Sequence, residues 1–475
     1  MSLDAESVTA LPQERQSAWA FIRHALSGVQ EDLTQGSIRR AVLLLAIPMV
    51  LEMVLESVFA VVDIFFVSSL GPGAVATVGL TEATITLLFA LAIGLSMATT
   101  AMVARRIGEK DPQGAATAAV QALWLGLGIA VVVGSAGIVF APKILQLMGA
   151  DAAVVERGSG YTATLLGGSG TIVFLFLINA IFRGAGDATI AMRSLWLANS
   201  INIVLDPCLI FGWGPFPELG VTGAAVATTI GRGCGVLFQL WCLFGGASRV
   251  PVRWGHLQAV PQVMFRLVRV SMGGIFQFLI ATSSWIGLMR IVSGFGSEAV
   301  AGYTIAIRVV IFALLPAWGL SNAAATLVGQ NLGARKPERA EASVWQAARY
   351  NIYFLVTVGI LFYFGARLVL ALFTDEPEVT RYGVACLQIL AFGYPLYALG
   401  MVVIQAFNGA GDTDTPTVIN FFCFWMVQIP LAYTLAHVLG LGPQGVFLAV
   451  VSAESVMALV GLVLFRRGKW KLKQV

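Results

Sequence analysis

The chain has 475 residues, of which 11% are charged (29 Lys and Arg against 25 Asp and Glu) and 58% are hydrophobic, with a mean hydropathy of +0.84. A soluble domain averages about 25% charged residues, and a chain this long needs a far more polar surface to face water. A soluble enzyme, a nucleic-acid module and a disordered scaffold are excluded, which leaves a polytopic helical membrane protein. An outer-membrane barrel is excluded as well, because the apolar runs are continuous rather than alternating.

Residues 1–40 are polar and read as a cytoplasmic tail rather than a secretory signal. Within them Trp19, Ile22, Leu26 and Val29 recur at helical spacing. That spacing fits either a short helix lying on the membrane or a partly ordered tail. Twelve apolar stretches follow, at 41–67, 76–104, 115–141, 158–182, 190–212, 221–246, 264–292, 300–329, 344–373, 380–407, 416–439 and 443–465. Each is long enough for a membrane helix, which takes about 20 residues. A polar linker, 247–263, separates the sixth from the seventh, and a basic tail, 466–475, ends the chain.

The basic residues set the orientation. Of the 29, 21 fall in the two tails and in the loops after helices two, four, six and eight. The opposite side carries only Lys143, Arg157 and Arg381. The positive-inside rule then puts both termini in the cytoplasm and the chain in the inner (cytoplasmic) membrane.

The two halves repeat. VSSLGPGAVA at 67–76 matches VSGFGSEAVA at 292–301, a shift of 225 residues. At the same shift Gly94-Leu95-Ser96 matches Gly319-Leu320-Ser321, Gly108 matches Gly333, and Pro112 matches Pro337. FRGAGD at 182–187 matches FNGAGD at 407–412. The expected fold is therefore an all-α membrane protein of twelve transmembrane helices. They form two six-helix lobes, 41–246 and 264–465, related by a pseudo-twofold axis along the membrane normal, as in parallel-repeat transporters. Duplication also serves merely to make a stable scaffold. A large membrane protein with no soluble domain favours transport instead, with the lobes rocking about a central cleft.

Ionisable groups inside a bilayer are costly and mark function. Glu52, Glu56 and Asp63 share one face of the first helix. Asp206 of the fifth helix lies at a depth similar to Asp63, with Asn202 one turn below it and Thr228 of the sixth helix nearby. A carboxylate among carboxylates and apolar walls is suited to proton exchange. The same oxygens suit Na⁺. Glu52 and Glu56 either line an acidic cavity that attracts a cationic substrate or pair with Arg232. Glu454, the one acid deep in the second lobe, pairs with Arg308 on the same reasoning, and Glu82 is a further acid at the depth of Asp63. Asp187 and Asp412, in the Gly-Ala-Gly-Asp turns, read as helix caps.

VDIFFVSSLG at 62–71, FRGAGD at 182–187, NIVLDPCLIFG at 202–212, GVTGAAVAT at 220–228 and FNGAGDT at 407–413, in this order and within a duplicated twelve-span chain, resemble the multidrug and toxic compound extrusion (MATE) family. The likeness runs from about residue 38 to 466 and is nearest to the proton-coupled prokaryotic branch. It implies cation-coupled export of amphipathic, often cationic compounds. By the resemblance, Asp63, Asn202, Asp206 and Thr228 bind the coupling ion, and Pro48 holds the family's proline position fifteen residues before Asp63; protonation of Asp63 is expected to alter the bend of the first helix there and narrow the cavity of the first lobe. A simple helix-entry kink at Pro48 is the alternative. Tyr161 and Asn179 also match family positions, although Asn179 is expected far from Asp206 unless its helix is deformed. The sodium-type branch uses acids in the second half, where this chain has Gln277 in the place of Glu52.

The expected activity is an antiporter exporting amphipathic, cationic organic compounds in exchange for H⁺ or Na⁺. It works as a monomer in the lipid bilayer, without cofactor or nucleic acid. A flippase for a lipid-linked precursor is the rival reading. The three histidines form no metal spacing and no nucleophile elbow or phosphate loop is present, against an embedded enzyme. The five cysteines show no CxxC spacing and read as free buried thiols.

Overall fold

A computed structural model describes residues 17–28, 31–246 and 248–474, with the side chains of a few helical positions, including 60, 61, 63 and 64, outside that set. A short helix, α1 (Ala18–Ser27), precedes the first lobe. That lobe comprises α2 (Ile38–Ser68), α3 (Pro72–Gly108), α4 (Pro112–Leu147), α5 (Ala152–Gly167), α6 (Ser169–Ala185), α7 (Ala188–Phe211) and α8 (Val221–Phe244). The second lobe comprises α9 (Pro261–Val292), α10 (Ser297–Gly333), α11 (Pro337–Leu370), α12 (Pro377–Gly409), α13 (Asp414–Asn420), α14 (Ile429–Tyr433) and α15 (Pro443–Arg466). Counting α5 with α6, and α13 with α14 and their π-helical turns, gives twelve candidate membrane spans among the described residues. Most extend a few residues beyond the apolar runs. Proline in the first turn of α3, α4, α9, α11, α12 and α15 fixes where those helices begin.

The repeat is written into the backbone. Lys110 (φ 59°) and Arg335 (φ 57°), the two non-glycine residues of positive φ among those described, stand at the 225 shift. Gly186 and Gly411, in the repeated turns, have φ of 90° and 82°. The register changes in the last helix of each lobe. There the N-terminal glycines of α8 and α15, Gly220 (φ 56°) and Gly442 (φ 59°), stand at a shift of 222. The change coincides with two π-helical stretches, Phe421–Gln428 and Thr434–Val438, in the second lobe only.

The lobes meet through pairs of glycines on the side that carries both termini. A Cβ on Gly94 of α3 would meet Ser271 O and Ile275 N of α9 at 2.7 Å. At the symmetric place, a Cβ on Gly319 of α10 would meet Met49 O at 2.6 Å and Val50 N at 3.1 Å, in α2. Gly108 lies against the Gln330 backbone, and its counterpart Gly333 lies against Arg105. Across the same face Thr326 Oγ1 donates to Arg183 O (3.1 Å) and Gln330 Nε2 to Gly184 O (2.9 Å).

Both termini reinforce this side. Thr189 Oγ1 donates to Ala25 O (3.0 Å) and Arg193 to Leu26 O (2.8 Å), which docks α1 on the start of α7. Val29, the last residue of the amphipathic pattern, lies outside the described residues. The backbone at 33–36 accepts from Lys336 and Arg339 of the other lobe. At the far end Trp470 is buried and stacked on Phe465 (4.8 Å between ring centroids).

The caps expected of Asp187 and Asp412 are not formed. The Asp187 side chain makes no capping bond to α7. It accepts instead from Arg249 N (3.2 Å) and Ser248 Oγ (3.5 Å), and so holds the linker between the lobes. Asp412 pairs with Lys473 Nζ at 3.0 Å and accepts from Thr415 Oγ1 at 2.8 Å. Burial pushes the Asp187 carboxyl from its ordinary 3.8 up to about 6, against the lowering effect of Arg249.

Two predictions follow from these contacts. Gly108→Val forces a branched side chain into the Gln330 backbone and should lengthen the spin-label distance between positions 106 and 335 in pulsed resonance; an unchanged distance in a folded variant contradicts the packing argument. For Asp187, the folded state holds the proton up to about pH 6 while the unfolded state releases it near 3.8. Stability therefore falls as pH rises through that window and levels off above it, by about 2 to 3 kcal/mol. Asp187→Asn, which keeps an acceptor for Arg249 N–H, should flatten that slope, read as melting temperature from pH 4.5 to 7.5; parallel slopes in the two proteins contradict it.

Candidate functional site

Two polar clusters form inside the first lobe, at different depths. Taking the side where the lobes meet as the closed side, the deeper cluster lies between α7 and α8. Gly231 brings these helices together, since a Cβ there would meet Ala198 O at 2.5 Å and Asn202 Cβ at 3.2 Å. Asp206 is fully buried, and Asn202 and Thr228 are nearly so. The Asn202 amide bridges the other two. With its nitrogen donating to Asp206 Oδ2 at 2.9 Å, its oxygen accepts from the Thr228 hydroxyl at 3.0 Å. Three residues singled out from the sequence are thus brought together. The fourth, Asp63, belongs to α2, but its side chain lies outside the described residues. Tyr161 of α5 is buried in the core of the lobe.

The second cluster is nearer the closed side. Glu52 of α2 is buried and accepts from Asn179 Nδ2 of α6 at 3.2 Å. Asn179 Oδ1 in turn accepts from Ser194 Oγ (3.3 Å) of α7 and from Gln239 Nε2 of α8, which also reaches Ser194 Oγ at 2.8 Å. Among the described residues Glu52 Oε2 has no hydrogen-bond partner. One turn on, Glu56 Oε2 accepts from Asn199 Nδ2 at 3.2 Å. The span holding Asn179 is indeed broken, at Gly167–Gly168, yet the break does not carry Asn179 to Asp206. It joins Glu52 instead. Ser194 and Gln239 escaped the sequence reading because a single polar residue in an apolar helix gives no sign of its partners on other helices.

Glu52 and Glu56 open onto a cavity of about 300 Å³ between the lobes, with Phe89, Phe176, Trp318, Asn322, Gln405 and Asn408 among its walls. Arg183 and Arg232 line it too. The acidic cavity expected from the sequence is therefore corrected: two carboxylates face two guanidinium groups. The expected ion pairs are corrected as well. Among the described residues no salt bridge joins Arg232 to Glu52 or Glu56, nor Arg308 to Glu454. Arg308 is exposed, whereas Glu454 lines a separate pocket of about 40 Å³ with Tyr394 and Tyr397. Gln277 does not line the central cavity. It lies behind it, exchanging hydrogen bonds with Asn408 at 3.1 and 3.2 Å. Asn408 continues through Gln405 (2.9 Å) to Asn322 (2.8 Å). Pro48 is buried within an unbroken α2, beside the Met49 carbonyl that meets Gly319.

Comparison with known proteins gives matches of three kinds. The MatE family model matches residues 48–208 and again 274–434, one match in each lobe. A curated relative, the probable multidrug resistance protein NorM of Thermotoga maritima, is 27% identical over 444 residues, 92% of this chain and 94% of its own. Among solved structures, a MATE protein in complex with MaL6 superposes with a TM-score of 0.88 at 29% identity, covering 94% of this chain and all of that one. The outward-facing structure of a multidrug resistance MATE family transporter gives 0.87 at 29% identity, covering 94% and 99%.

The cluster around Asn179 makes a stability prediction. Gln239→Leu removes the amide that donates to both Asn179 and Ser194 and leaves their oxygens short of a donor. The loss should be about 1 kcal/mol, the scale of a hydrogen bond between helices in a membrane. It is read as a lower melting temperature in detergent, and an unchanged or raised melting temperature speaks against the network.

Proposed function

Since this chain belongs to the MatE family, we propose that it is a secondary active antiporter of the inner membrane, exporting amphipathic organic compounds that bear a cationic group in exchange for H⁺. The twelve spans make it a multi-pass membrane protein. The names of its relatives, among them a probable multidrug resistance protein and multidrug export proteins, support efflux of varied compounds. Both termini lie in the cytoplasm, on the positive-inside argument. The closed side is then the cytoplasmic one, and the arrangement described is the outward-facing half of an alternating-access cycle.

The observation that carries the coupling proposal is Asp206, fully buried in a membrane span and held by the Asn202 amide, which Thr228 engages in turn. A charged carboxylate at that depth is costly, and taking up a proton removes the charge. Asp63 on α2 is the second proton carrier. Its helix also contains Pro48, which lacks a backbone donor and so permits a bend. That bend sits next to the Met49–Gly319 crossing, so a change in α2 on protonation acts directly on the contact that closes the cytoplasmic side. Tyr161 stands in the same lobe as a supporting group. Na⁺ is the competing ion, since the same oxygens suit it.

The test is transport in proteoliposomes under imposed gradients. A pH gradient should drive export of an amphipathic dye, and a sodium gradient at equal pH should not. The reverse result overturns proton coupling. Asp63→Asn and Asp206→Asn should each lower gradient-driven export about tenfold or more, while undiminished transport in both variants removes them from the coupling site.

A further inference from the structure

We propose that the compound held in the central cavity is amphoteric, carrying an anionic group as well as a cationic one. This rests on the export reading above and narrows its substrate class. The cavity of about 300 Å³ is lined by Glu52 and Glu56 from α2, Arg183 from α6 and Arg232 from α8. The formal charges balance. Among the described residues these four groups form no ion pair with one another. Glu52 is 1% exposed, and its Oε2 has no partner among the described residues. Arg183 spends only Nε, on the Asn179 carbonyl at 3.4 Å. The facing wall, from the second lobe, is neutral, with Trp318, Asn322 and Gln405.

Opposite charges that share a confined space without neutralising each other are left for a ligand to satisfy. A ligand with a positive group alone satisfies a carboxylate but brings its charge towards two guanidinium groups. Like charges held together in such a site are penalised. An anion alone meets the converse obstacle. A ligand with both charges on an apolar frame pairs with each and lays its frame against Trp318, Phe89 and Phe176. Arginine suits the anionic end, because its planar fork takes carboxylate or phosphate in two hydrogen bonds.

The probes are a rhodamine free acid, whose carboxylate makes it zwitterionic, and its methyl ester, a cation of nearly the same shape. Binding of each to the purified full chain is measured by fluorescence polarisation at neutral pH, with no ion gradient. The free acid should bind at least about tenfold more tightly, the scale of one hydrogen bond to a charged group. Arg232→Gln should remove that preference by weakening the free acid while leaving the ester unchanged or tighter. Arg183→Gln provides the same reading from a different helix, and Arg232→Lys should retain much of the preference. Equal affinity for both dyes, tighter binding of the ester, binding of neither, or a uniform loss for both dyes in the arginine variants overturns the proposal. The two readings fail separately. If the free acid is preferred but no gradient drives its export, the antiport reading falls and the amphoteric site stands; if export is driven and the ester binds as well, only the amphoteric site falls.

Discussion

Everything else in the molecule depends on the close crossing of backbone on backbone at Gly94, Gly108, Gly319 and Gly333. Any side chain at these places would drive into the facing helix, whose backbone atoms lie within van der Waals contact. The contacts come in symmetric pairs. Gly94 meets α9 as Gly319 meets α2, and Gly108 meets α10 as Gly333 meets α3. The interface is thus isologous, like that of a twofold dimer, although both halves belong to one chain. Membrane helices gain little from burying apolar surface against each other, because lipid is as apolar as leucine. Small residues that admit close approach supply the association instead. Such a contact is either seated or lost, since close-packed surfaces do not deform continuously. An interface of this kind suits a protein that must close one side and release it.

Within that symmetric frame the chemistry is one-sided. At the 225 shift Glu52, Asn179 and Ser194 correspond to Gln277, Ile404 and Ile419. Ile404 and Ile419 pack together in an apolar cluster of the second lobe. At the 222 shift of the last helices, Arg232 corresponds to Glu454, so even the sign of the charge is reversed. Thr228 corresponds to Val450, a core residue. One lobe carries a buried polar network and the charged wall of the cavity, and the other offers a neutral wall. On the transport reading proposed above, rocking one against the other changes what the charged groups face without requiring them to move within their own lobe.

The fold was legible in the sequence because its determinants are local or periodic. Long apolar runs, prolines at helix starts and glycines at turns mark twelve helices, and the repeat of GLS and of the Gly-Ala-Gly-Asp turn marks two lobes. The part of the site on one helix pair was legible too: Asn202 and Asp206 are four apart, and Thr228 belongs to the next span at matching depth. What failed was everything that depends on pairing between distant helices. Arg183 lies just past the apolar run 158–182, where the sequence reads as a loop, yet it stands at the end of α6 and reaches the cavity. Asp187 has the position of a cap, but its side chain accepts instead from Ser248 Oγ and Arg249 N, 61 and 62 residues on. Arg232 stands at a plausible depth for pairing with Glu52, whereas Glu52 is held by Asn179. Depth along the membrane can be counted from sequence, but rotation and the choice among neighbours cannot.

The repeated turns show how duplication was turned to separate uses. FRGAGD and FNGAGD keep the same left-handed glycine, at Gly186 and Gly411. Their aspartates hold different segments: Asp187 fixes the linker that joins the lobes, and Asp412 fixes Lys473 of the C-terminal tail. The tail then crosses to the first lobe, where Arg105 donates to the Lys473 carbonyl. The N-terminal segment crosses in the other direction, to Lys336 and Arg339. Three lengths of chain outside the repeat therefore span the same face as the glycine crossings. Their bonds are separate polar contacts, several of them to backbone carbonyls, so each can break without the others. The glycine contacts give that closure its fit, and the straps add small, reversible increments to it, which lets the closed side be stable without being permanent.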